Sequence, residues 1–316
     1  MYVRTFTVGE TPRRVRLDRF LEAQLPDVSR GLIRRAINRG EVTIDGEVRE
    51  TGRLLLAGQT VEIRMAEEPV AAMAPEDLPI SVVHEDDAII VVDKAAGMYV
   101  HPTHRVHGGT VLNAVAFHLA VDGRQVVRPL LVHRLDRATS GLLVISKTPR
   151  AHNVLARAWH DRKVKKIYLA LVCGRLAPSG ETGLSPSGII DAPIGGARDR
   201  HPGFAVDPAG RSARTRFSLV DELGPQALYE LEPLTGRTNQ LRIHCAHAGG
   251  AIAGDDLHGQ PELEVFHAAH PEVPKPSRLL LHAWRLEFDH PVTGDPVALE
   301  ALIPSELATY LKSARR

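Results

Sequence analysis

The sequence has little cysteine and no long apolar run. Only two cysteines, Cys173 and Cys245, occur among its 316 residues, so a disulfide framework is excluded and a reducing cytoplasm is the expected compartment. The longest apolar runs, such as AIIVV and LLLAG, are too short to cross a bilayer. The opening stretch MYVRTFTVGETPRRVRL contains no apolar core that would serve as a secretion signal. We therefore expect a cytoplasmic protein that has no membrane partner.

Net charge is also small, at +1, but the charges are unevenly placed. No lysine precedes Lys94, and residues 1–66 carry 12 arginines against 9 acidic residues. Residues 67–89 carry seven acidic residues and no Lys or Arg, whereas residues 147–175 carry eight basic residues against Asp161 alone. Because a basic block creates a local field whatever the total charge is, nucleic acid stays a candidate partner.

The first 66 residues have the pattern of a small α+β unit. Apolar residues at helical spacing predict one helix over VRLDRFLEAQL and a second over RGLIRRAINRG. VTIDGEV predicts two short strands around an Asp-Gly turn, and LLLAGQTVEI adds another strand. The second helix cannot place its arginines on the buried stripe, so they form a basic ridge that is either a nucleic-acid contact or an ordinary solvated face: Arg30, Arg34 and Arg35.

The rest of the chain predicts a second, larger domain. Residues 67–79 are rich in Pro, Ala and acidic residues without periodicity, which is typical of a linker. Residues 80–316 contain many strand patterns with helices interspersed, and they do not alternate strictly between strand and helix. This pattern predicts an α+β fold with a mixed, largely antiparallel central sheet.

The stretch LVHRLDRATSGLLVISKT, residues 131–148, has the most unusual placement of charge. Two apolar strand patterns flank a tight turn that holds Asp136 between Arg134 and Arg137. A carboxylate on such a turn is held by a rigid support, as a catalytic group must be. An aspartate in a turn also commonly caps the turn or pairs with a neighbouring arginine, and the turn alone does not decide between these interpretations.

The same stretch closely resembles the signature of the RluA-type pseudouridine synthases, in which a histidine, arginine and leucine precede the catalytic aspartate. KKIYLALV (165–172) resembles the second motif of that family, and TGRTNQLRIH (235–244) resembles the third. VVDKAAGMYVHP, DAPIG and HAWRLEFDHPVTG are similar as well, in the order of the family. Residues 1–66 resemble the small alpha-L RNA-binding module named after a ribosomal protein. The resemblance therefore implies a pseudouridine synthase catalytic domain over 80–316 and an N-terminal RNA-binding domain.

The resemblance also implies a role for each motif residue. Asp136 would act as nucleophile or stabilise an oxocarbenium-like transition state, as carboxylates do in glycoside hydrolysis. Arg242 would pair with Asp136 and keep it negative. Tyr168 would stack on the uracil and is a candidate proton acceptor. On the residues alone, Arg242 is also compatible with a solvated helix charge, and Tyr168 with an ordinary core tyrosine.

RNA is the partner that the resemblance implies, most consistently large-subunit ribosomal RNA because of the N-terminal module, with transfer RNA as the alternative. A stacked target uridine has to be flipped out, and Arg134 matches the residue that fills its place. The further RNA-binding candidates flank the motifs or lie in the basic block: His133, Arg137, Thr139, Lys165 and Lys166. The isomerisation is redox-neutral, so no cofactor is expected, and nothing demands a protein partner or more than a monomer.

The chain departs from the family pattern at three places, and three other interpretations stay open. Asn239 stands where the family usually has histidine, Ala95 where it usually has proline, and residues 259–277 are longer than a minimal member needs. One rival is a non-catalytic RNA-binding or ribosome-assembly factor on the same scaffold. A nucleosidase or glycosidase would require a second carboxylate, which no motif marks. A metal site in the histidine-rich stretches HPTHRVHGG and FHAAHPE is disfavoured, because neither cysteine has a partner at short spacing.

Overall fold

The computed structural model describes residues 2–10, 15–25, 28, 30–50, 52–65, 74–103, 106, 108–121, 129–180, 184–196 and 203–314. The chain divides into two compact units, Met1–Met73 and Ala74–Arg316, and each has its own apolar core. Among the helices described, none has the length and apolar character to span a membrane.

The first unit packs two helices on a four-stranded antiparallel sheet. Its elements are β1 (Tyr2–Thr7), α1 (Leu17–Gln24), α2 (Arg30–Asn38), β2 (Val42–Ile44), β3 (Glu47–Val48) and β4 (Thr60–Met65), with strand order β1-β4-β2-β3. Leu17, Leu21 and Ile33 are fully buried between helices and sheet. The helices and the Asp-Gly hairpin agree with the sequence patterns, while β1 was not among the predicted strands.

The second unit is built on an 11-stranded sheet. The strands of this unit, of which β11 and β12 lie outside the large sheet, are β5 (Ser81–Glu85), β6 (Ile89–Lys94), β7 (Leu130–Leu131), β8 (Ser140–Ser146), β9 (Lys165–Gly174), β10 (Ser187–Asp191), β11 (Ile194–Gly196), β12 (Phe204–Val206), β13 (Arg214–Leu223), β14 (Gln226–Pro233), β15 (Gly250–Ile252), β16 (Leu281–Asp289) and β17 (Pro296–Glu300). Its helices are α3 (Val111–Val121), α4 (Pro149–His160), α5 (Gln240–His247), α6 (Gln260–Ala269) and α7 (Ser305–Ala314).

The main path of this sheet runs β10-β13-β14-β9-β16-β8-β6-β5, with β15, β17 and β7 paired at its sides, while β11 and β12 form a separate pair. Among the described pairs, β8 and β16 alone are parallel. The predicted fold class, α+β with a mixed, largely antiparallel sheet, is therefore confirmed.

Strand β8 carries the apolar run GLLVIS, and all seven of its residues are buried. It pairs with β6 at one edge and with β16 at the other. Since all of its residues are buried, both of its faces are covered as well. Gly141 has φ +114°, and a Cβ there would lie 2.2 Å from the carbonyl oxygen of Ala283 on β16. Only glycine allows the two backbones to approach this closely. The turn before β8 therefore has a rigid base.

Part of the predicted linker, residues 67–73, lies outside the described residues. The remainder belongs to the second unit: the Asn113 side-chain amide of α3 donates to the carbonyl of Ala74 at 2.9 Å. The Glu76 N–H donates to the Asn113 carbonyl at 3.1 Å, and the Glu76 carboxylate accepts from the Gly109 N–H at 2.9 Å. The predicted domain limits, 1–66, 67–79 and 80–316, stay a prediction.

Candidate active site

Asp136 lies in the turn between β7 and β8, as the sequence predicts. The Thr139 N–H donates to the backbone carbonyl of Asp136 at 3.2 Å and closes the turn. The Gly97 N–H donates to the carbonyl of Arg137 at 2.7 Å, which ties the turn to the loop that follows β6. The Asp136 side chain is partly buried and lines two cavities.

Lys94, at the end of β6, is the second support of this turn. Its ammonium group is buried and donates to the carbonyls of Ala95, Met98 and Arg137 at 2.8, 3.0 and 3.1 Å. These three bonds connect both ends of the 95–98 loop to the turn that holds Asp136. Burial lowers the pKa of Lys94 to about 8, and the nearby negative charge of Asp136 opposes that shift.

Helix α5 presents the third motif to the site. Six of its eight residues are buried, and two polar ones anchor it to β13. Gln240 donates to the Arg214 carbonyl at 2.8 Å and to the Thr215 hydroxyl at 3.0 Å. The Nε2 of His244 donates to the Ala192 carbonyl at 3.0 Å, so its Nδ1 accepts from Thr215. The helix that carries Arg242 is therefore held on two sides.

Arg242 is 5% exposed and does not form the ion pair that the resemblance implies. Its guanidinium group binds Asp255, which follows β15, through Nε at 2.9 Å and through a second bond at 2.5 Å. The predicted direct pair with Asp136 is therefore wrong. Two parallel N–H donors match the two oxygens of one carboxylate, and Asp255 is fully buried where it can meet both. A solvated charge is likewise excluded for Arg242.

The positive charge of Arg242 nevertheless lowers the pKa of Asp136 without a direct contact. Burial raises the pKa of Asp136 above its usual value, and the charges of Arg242, Arg134 and Lys94 oppose this shift, while Asp255 adds to it. Burial is the largest effect, so the pKa stays raised on balance. The two opposing effects on the pKa of Asp136 agree with the prediction, but three cations provide the compensation that was expected of Arg242 alone.

Asn239 makes the direct hydrogen bond to Asp136. With its amide nitrogen facing the carboxylate, it donates to the two oxygens of Asp136 at 2.9 and 3.3 Å, and its amide oxygen accepts from Nε2 of His258 at 2.8 Å. The opposite amide orientation would set oxygen against oxygen. Asn239 has φ +55°, an uncommon conformation that asparagine tolerates better than most residues. Asn239, which departs from the family pattern, therefore contacts the proposed nucleophile directly.

Tyr168 lies on β9 across the smaller cavity, which has a volume of about 320 Å³ and is also lined by Asp136, Arg242, Leu241 and Lys166. The structure thus brings the three predicted catalytic residues to one open pocket. Burial and the charge of Asp136 both raise the pKa of the Tyr168 phenol. The phenol is therefore protonated at neutral pH, and the expected roles of Tyr168 in stacking and as proton acceptor stay predictions.

A larger cleft of about 1000 Å³ adjoins Asp136 on its other side. One wall is the loop at Tyr99–His101, and the other is α6 with the segment Lys275–Leu279. The long segment 259–277, whose effect the sequence leaves open, thus lines a cleft beside the proposed nucleophile.

Arg134 and Arg137 project from the turn and are exposed, whereas His133 and Thr139 are held in the protein. Arg134 lines both cavities. Arg137 donates to the Gly97 carbonyl at 3.0 Å and stacks 5.1 Å from the Tyr99 ring centre. Thr139 is 2% exposed at the edge of the smaller pocket.

His133 has a structural position. Its Nε2 accepts from the Val144 N–H at 3.0 Å, and its ring stacks on Trp159 at 4.6 Å. Burial lowers the pKa of His133 to about 3, so the ring is neutral. Nε2 is therefore not available to a phosphate, and the RNA contact expected of His133 stays a prediction.

The remaining predicted RNA contacts are dispersed. Lys166 lines the smaller pocket, and burial lowers its pKa, while Lys165 is exposed and pairs with Glu287 at 3.1 Å. Arg34 and Arg35 are exposed on α2 next to the buried Ile33, as the basic ridge requires. The side chain of Arg30 lies outside the described residues.

Three side chains that contact the predicted site residues or their turn were not singled out from the sequence: Lys94, Asp255 and His258. Lys94 ends a buried apolar strand, and a lysine in that position is a usable signal. The acids of AGDDLHG follow β15 directly, at a strand end where site residues often lie, but the pattern alone has no specificity.

No described group of three or more His, Cys, Asp or Glu side chains is arranged to hold a metal ion. Two of the histidines considered for metal, His104 and His107, lie outside the described residues.

Comparison with known proteins gives consistent matches over both units. A model of the RNA pseudouridylate synthase family matches residues 88–247, and a model of the S4 domain matches residues 15–61. A protein named uncharacterized RNA pseudouridine synthase, from Chlorobaculum parvum, is 34% identical over 98% of this chain and 97% of its own. Ribosomal large subunit pseudouridine synthase D of Xanthomonas campestris is 36% identical over 95% of this chain and 89% of its own.

A solved structure supports the fold. Human RNA Pseudouridylate Synthase Domain Containing 1 superposes with a TM-score of 0.56 and covers 76% of this chain and 96% of its own. At 21% identity this similarity concerns the fold alone.

Proposed function

Since the chain belongs to the RNA pseudouridylate synthase family, we propose that it converts uridines of large-subunit ribosomal RNA to pseudouridine with Asp136 as nucleophile. Family membership confirms the predicted enzyme class, an isomerase. The observation that carries the proposal is the open pocket of about 320 Å³ between Asp136, Tyr168 and Arg242. Such a volume lies at the lower end of small-molecule sites, ~300–1000 Å³, and suits one flipped-out nucleoside.

The proposed reaction balances without a cofactor. A carboxylate oxygen of Asp136 bonds to the anomeric carbon as the bond to ring nitrogen one breaks, and that electron pair leaves with the uracil. The uracil turns, its carbon five attacks the anomeric carbon, and the carboxylate is released. The proton on carbon five is then lost, and nitrogen one gains a proton. Tyr168 stacks on the base during the turn, and the cations around Asp136 stabilise its charge before and after the attack.

The target must leave an RNA stack before it enters the pocket. We assign that step to Arg134, which is exposed and lines both cavities, so that its side chain can occupy the vacated position. The surrounding basic residues supply the field for phosphate. The S4 match over 15–61 and the names of several relatives support ribosomal RNA as the substrate, and we place the reaction in the cytoplasm with it.

The alternatives make different use of the same site. A non-catalytic RNA-binding factor has no need for an open pocket at Asp136. A glycosidase would need a second carboxylate as acid, and Asp255, whose charge acts on Asp136, is a candidate. However, its bonds to Arg242 outweigh burial and lower the pKa of Asp255, which keeps it ionised and unsuited to donate a proton.

The test is a pair of pseudouridine maps of total cellular RNA, one with the protein and one without it. We expect one or a few sites in large-subunit ribosomal RNA to disappear and to return when the purified protein is added to unmodified transcript. Lost sites only in transfer RNA would refute the ribosomal substrate, and identical maps would refute the activity. Release of free uracil would instead support the glycosidase.

A further inference from the structure

We infer that His258 is a positioning residue for the reaction, and that it acts through Asn239 to aim and ionise Asp136. The inference rests on the proposed function, because it concerns the same carboxylate. It goes beyond that function, because neither side chain takes part in the bond changes. The geometry that carries it is a continuous chain of hydrogen bonds from His258 to Asn239 to Asp136.

An asparagine amide has two nearly isosteric ends, and only one of them suits a carboxylate. When the nitrogen faces Asp136, Asn239 donates to its oxygens at 2.9 and 3.3 Å. A half-turn of the amide would replace that donor by an acceptor and set it against a negative charge. The Asp136 carboxylate itself disfavours this half-turn, and a donor on the other side of the amide disfavours it further.

His258 is that donor, and its own position is fixed. Its Nε2 donates to the amide oxygen of Asn239 at 2.8 Å. Its backbone N–H donates to Asp255 at 3.0 Å, and the same carboxylate holds Arg242. One buried acid therefore positions both the cation that acts on Asp136 at a distance and the histidine that orients its direct donor.

The charges around the chain of hydrogen bonds are compatible with this role. Asp136 faces Arg242, Arg134, Lys94 and Asp255. His258 faces Arg242 and Asp255, and burial together with Arg242 lowers the pKa of its ring. Nε2 carries a proton in the neutral tautomer that donates to Asn239 and in the charged ring alike. The orienting bond is therefore independent of the protonation of His258.

The experiment measures single-turnover pseudouridine formation and RNA affinity for the full-length protein across a pH series. In His258→Ala we expect the rate at neutral pH to fall about tenfold, which corresponds to about 1.4 kcal/mol, with RNA affinity within about twofold of wild type. The acidic limb of the rate profile should move to higher pH, because Asp136 loses its oriented donor. A merely structural role for His258 would not move that limb.

Two amide variants of different length separate orientation from folding. The amide nitrogen of glutamine reaches the position of Nε2, so His258→Gln should keep most of the activity, whereas His258→Asn, which is too short, should behave as His258→Ala. In Asn239→Ala, the further change His258→Ala should have no additional effect on rate, because it acts through Asn239. His270→Ala, on a histidine outside this network, is the matched control and should behave as wild type.

Three results would overturn the inference while leaving the proposed function intact: wild-type rates in His258→Asn, an unshifted acidic limb in His258→Ala, or losses that multiply in the double variant. Wild-type protein that forms no pseudouridine would overturn the proposed function, and the inference with it.

Discussion

Asp136 has to be negative in a place that opposes negative charge. Burial raises the pKa of Asp136. Cations at a distance and one amide donor in contact with the carboxylate stabilise its charged form against this effect. Arg242 forms its direct ion pair with Asp255 and not with Asp136. A neutral amide donor weakens the Asp136 oxygens as nucleophiles less than a two-bond pair with arginine would, which suits a carboxylate that has to attack.

Lys94 gives a prediction that does not depend on the activity. Its pKa is about 8 in the folded chain against a usual value of 10.5. Between these pH values the unfolded chain therefore binds more protons than the folded one, and the stability of wild type rises with pH through this group. The limit is about 1.4 kcal/mol per pH unit. Lys94→Met lacks the titrating group, so the free energy of unfolding of wild type minus that of the variant should increase from about pH 8 to 10.

Urea unfolding at several pH values measures this difference. The magnitude at one pH also includes the three carbonyls that the variant leaves without their donor, so the change with pH is the informative quantity. A difference that is constant or decreases with pH would show that folding does not lower the pKa of Lys94.

At the residue scale the sequence predicted which side chains meet, but not all of their contacts. The motifs identified Asp136, Tyr168 and Arg242, which line one pocket. The partner of Arg242 was missed because Asp255 reaches it from another loop, and no local pattern reports a contact of that kind. Asn239 was visible as a departure from the family, yet its contact with Asp136 depends on a left-handed backbone that sequence does not specify.

At the element scale, the close approach of β8 and β16 determines where the turn of Asp136 stands. Gly141→Ala should cost more than about 2 kcal/mol, because the added methyl would meet the backbone of Ala283 at 2.2 Å and neither strand can move freely. Gly224→Ala is the matched control, since that glycine also has a positive φ but has open space around it. Its cost should be about 1 kcal/mol.

Urea unfolding of the two variants measures both costs, and pseudouridine formation reports on the turn. Equal costs would show that the contact between β8 and β16 is not tight. In that case the rigid support proposed for Asp136 would be wrong.

Elements with an apolar face were predictable, and elements without one were not. α2 buries Ile33, Ala36 and Ile37 at helical spacing, so its pattern is clear. α6 has no fully buried residue, so its sequence shows no apolar stripe that would predict a helix within the long segment 259–277, which is rich in His and Pro. β1 is stabilised by pairing with β4, some 60 positions later in the chain, which local sequence does not indicate.

At the scale of the whole molecule, the small net charge conceals basic regions with different proposed roles. Arg34 and Arg35 are exposed on α2, in the segment that matches the S4 domain. The double variant Arg34→Glu/Arg35→Glu should weaken RNA binding and reduce the slope of log affinity against log salt by roughly 1 to 2. The rate at saturating protein should stay unchanged, because neither side chain belongs to the pocket.

The matched control is Arg49→Glu/Arg64→Glu, which makes the same change in charge within the same unit. Both of these arginines pair with acidic neighbours, Glu47 and Glu62, so they offer less free charge to phosphate. Binding isotherms at four or more salt concentrations distinguish the two variants. Equal salt slopes in both would assign the effect to total charge instead of the ridge on α2.

The central claim is that the Asp136 carboxylate performs the reaction on RNA, and one rate tests it most directly. With protein in excess over RNA, pseudouridine formation in a single turnover should fall by about 10⁴-fold or more in the isosteric variant Asp136→Asn, while the RNA dissociation constant stays within about threefold. A variant that binds RNA and forms pseudouridine at the wild-type rate would contradict the account.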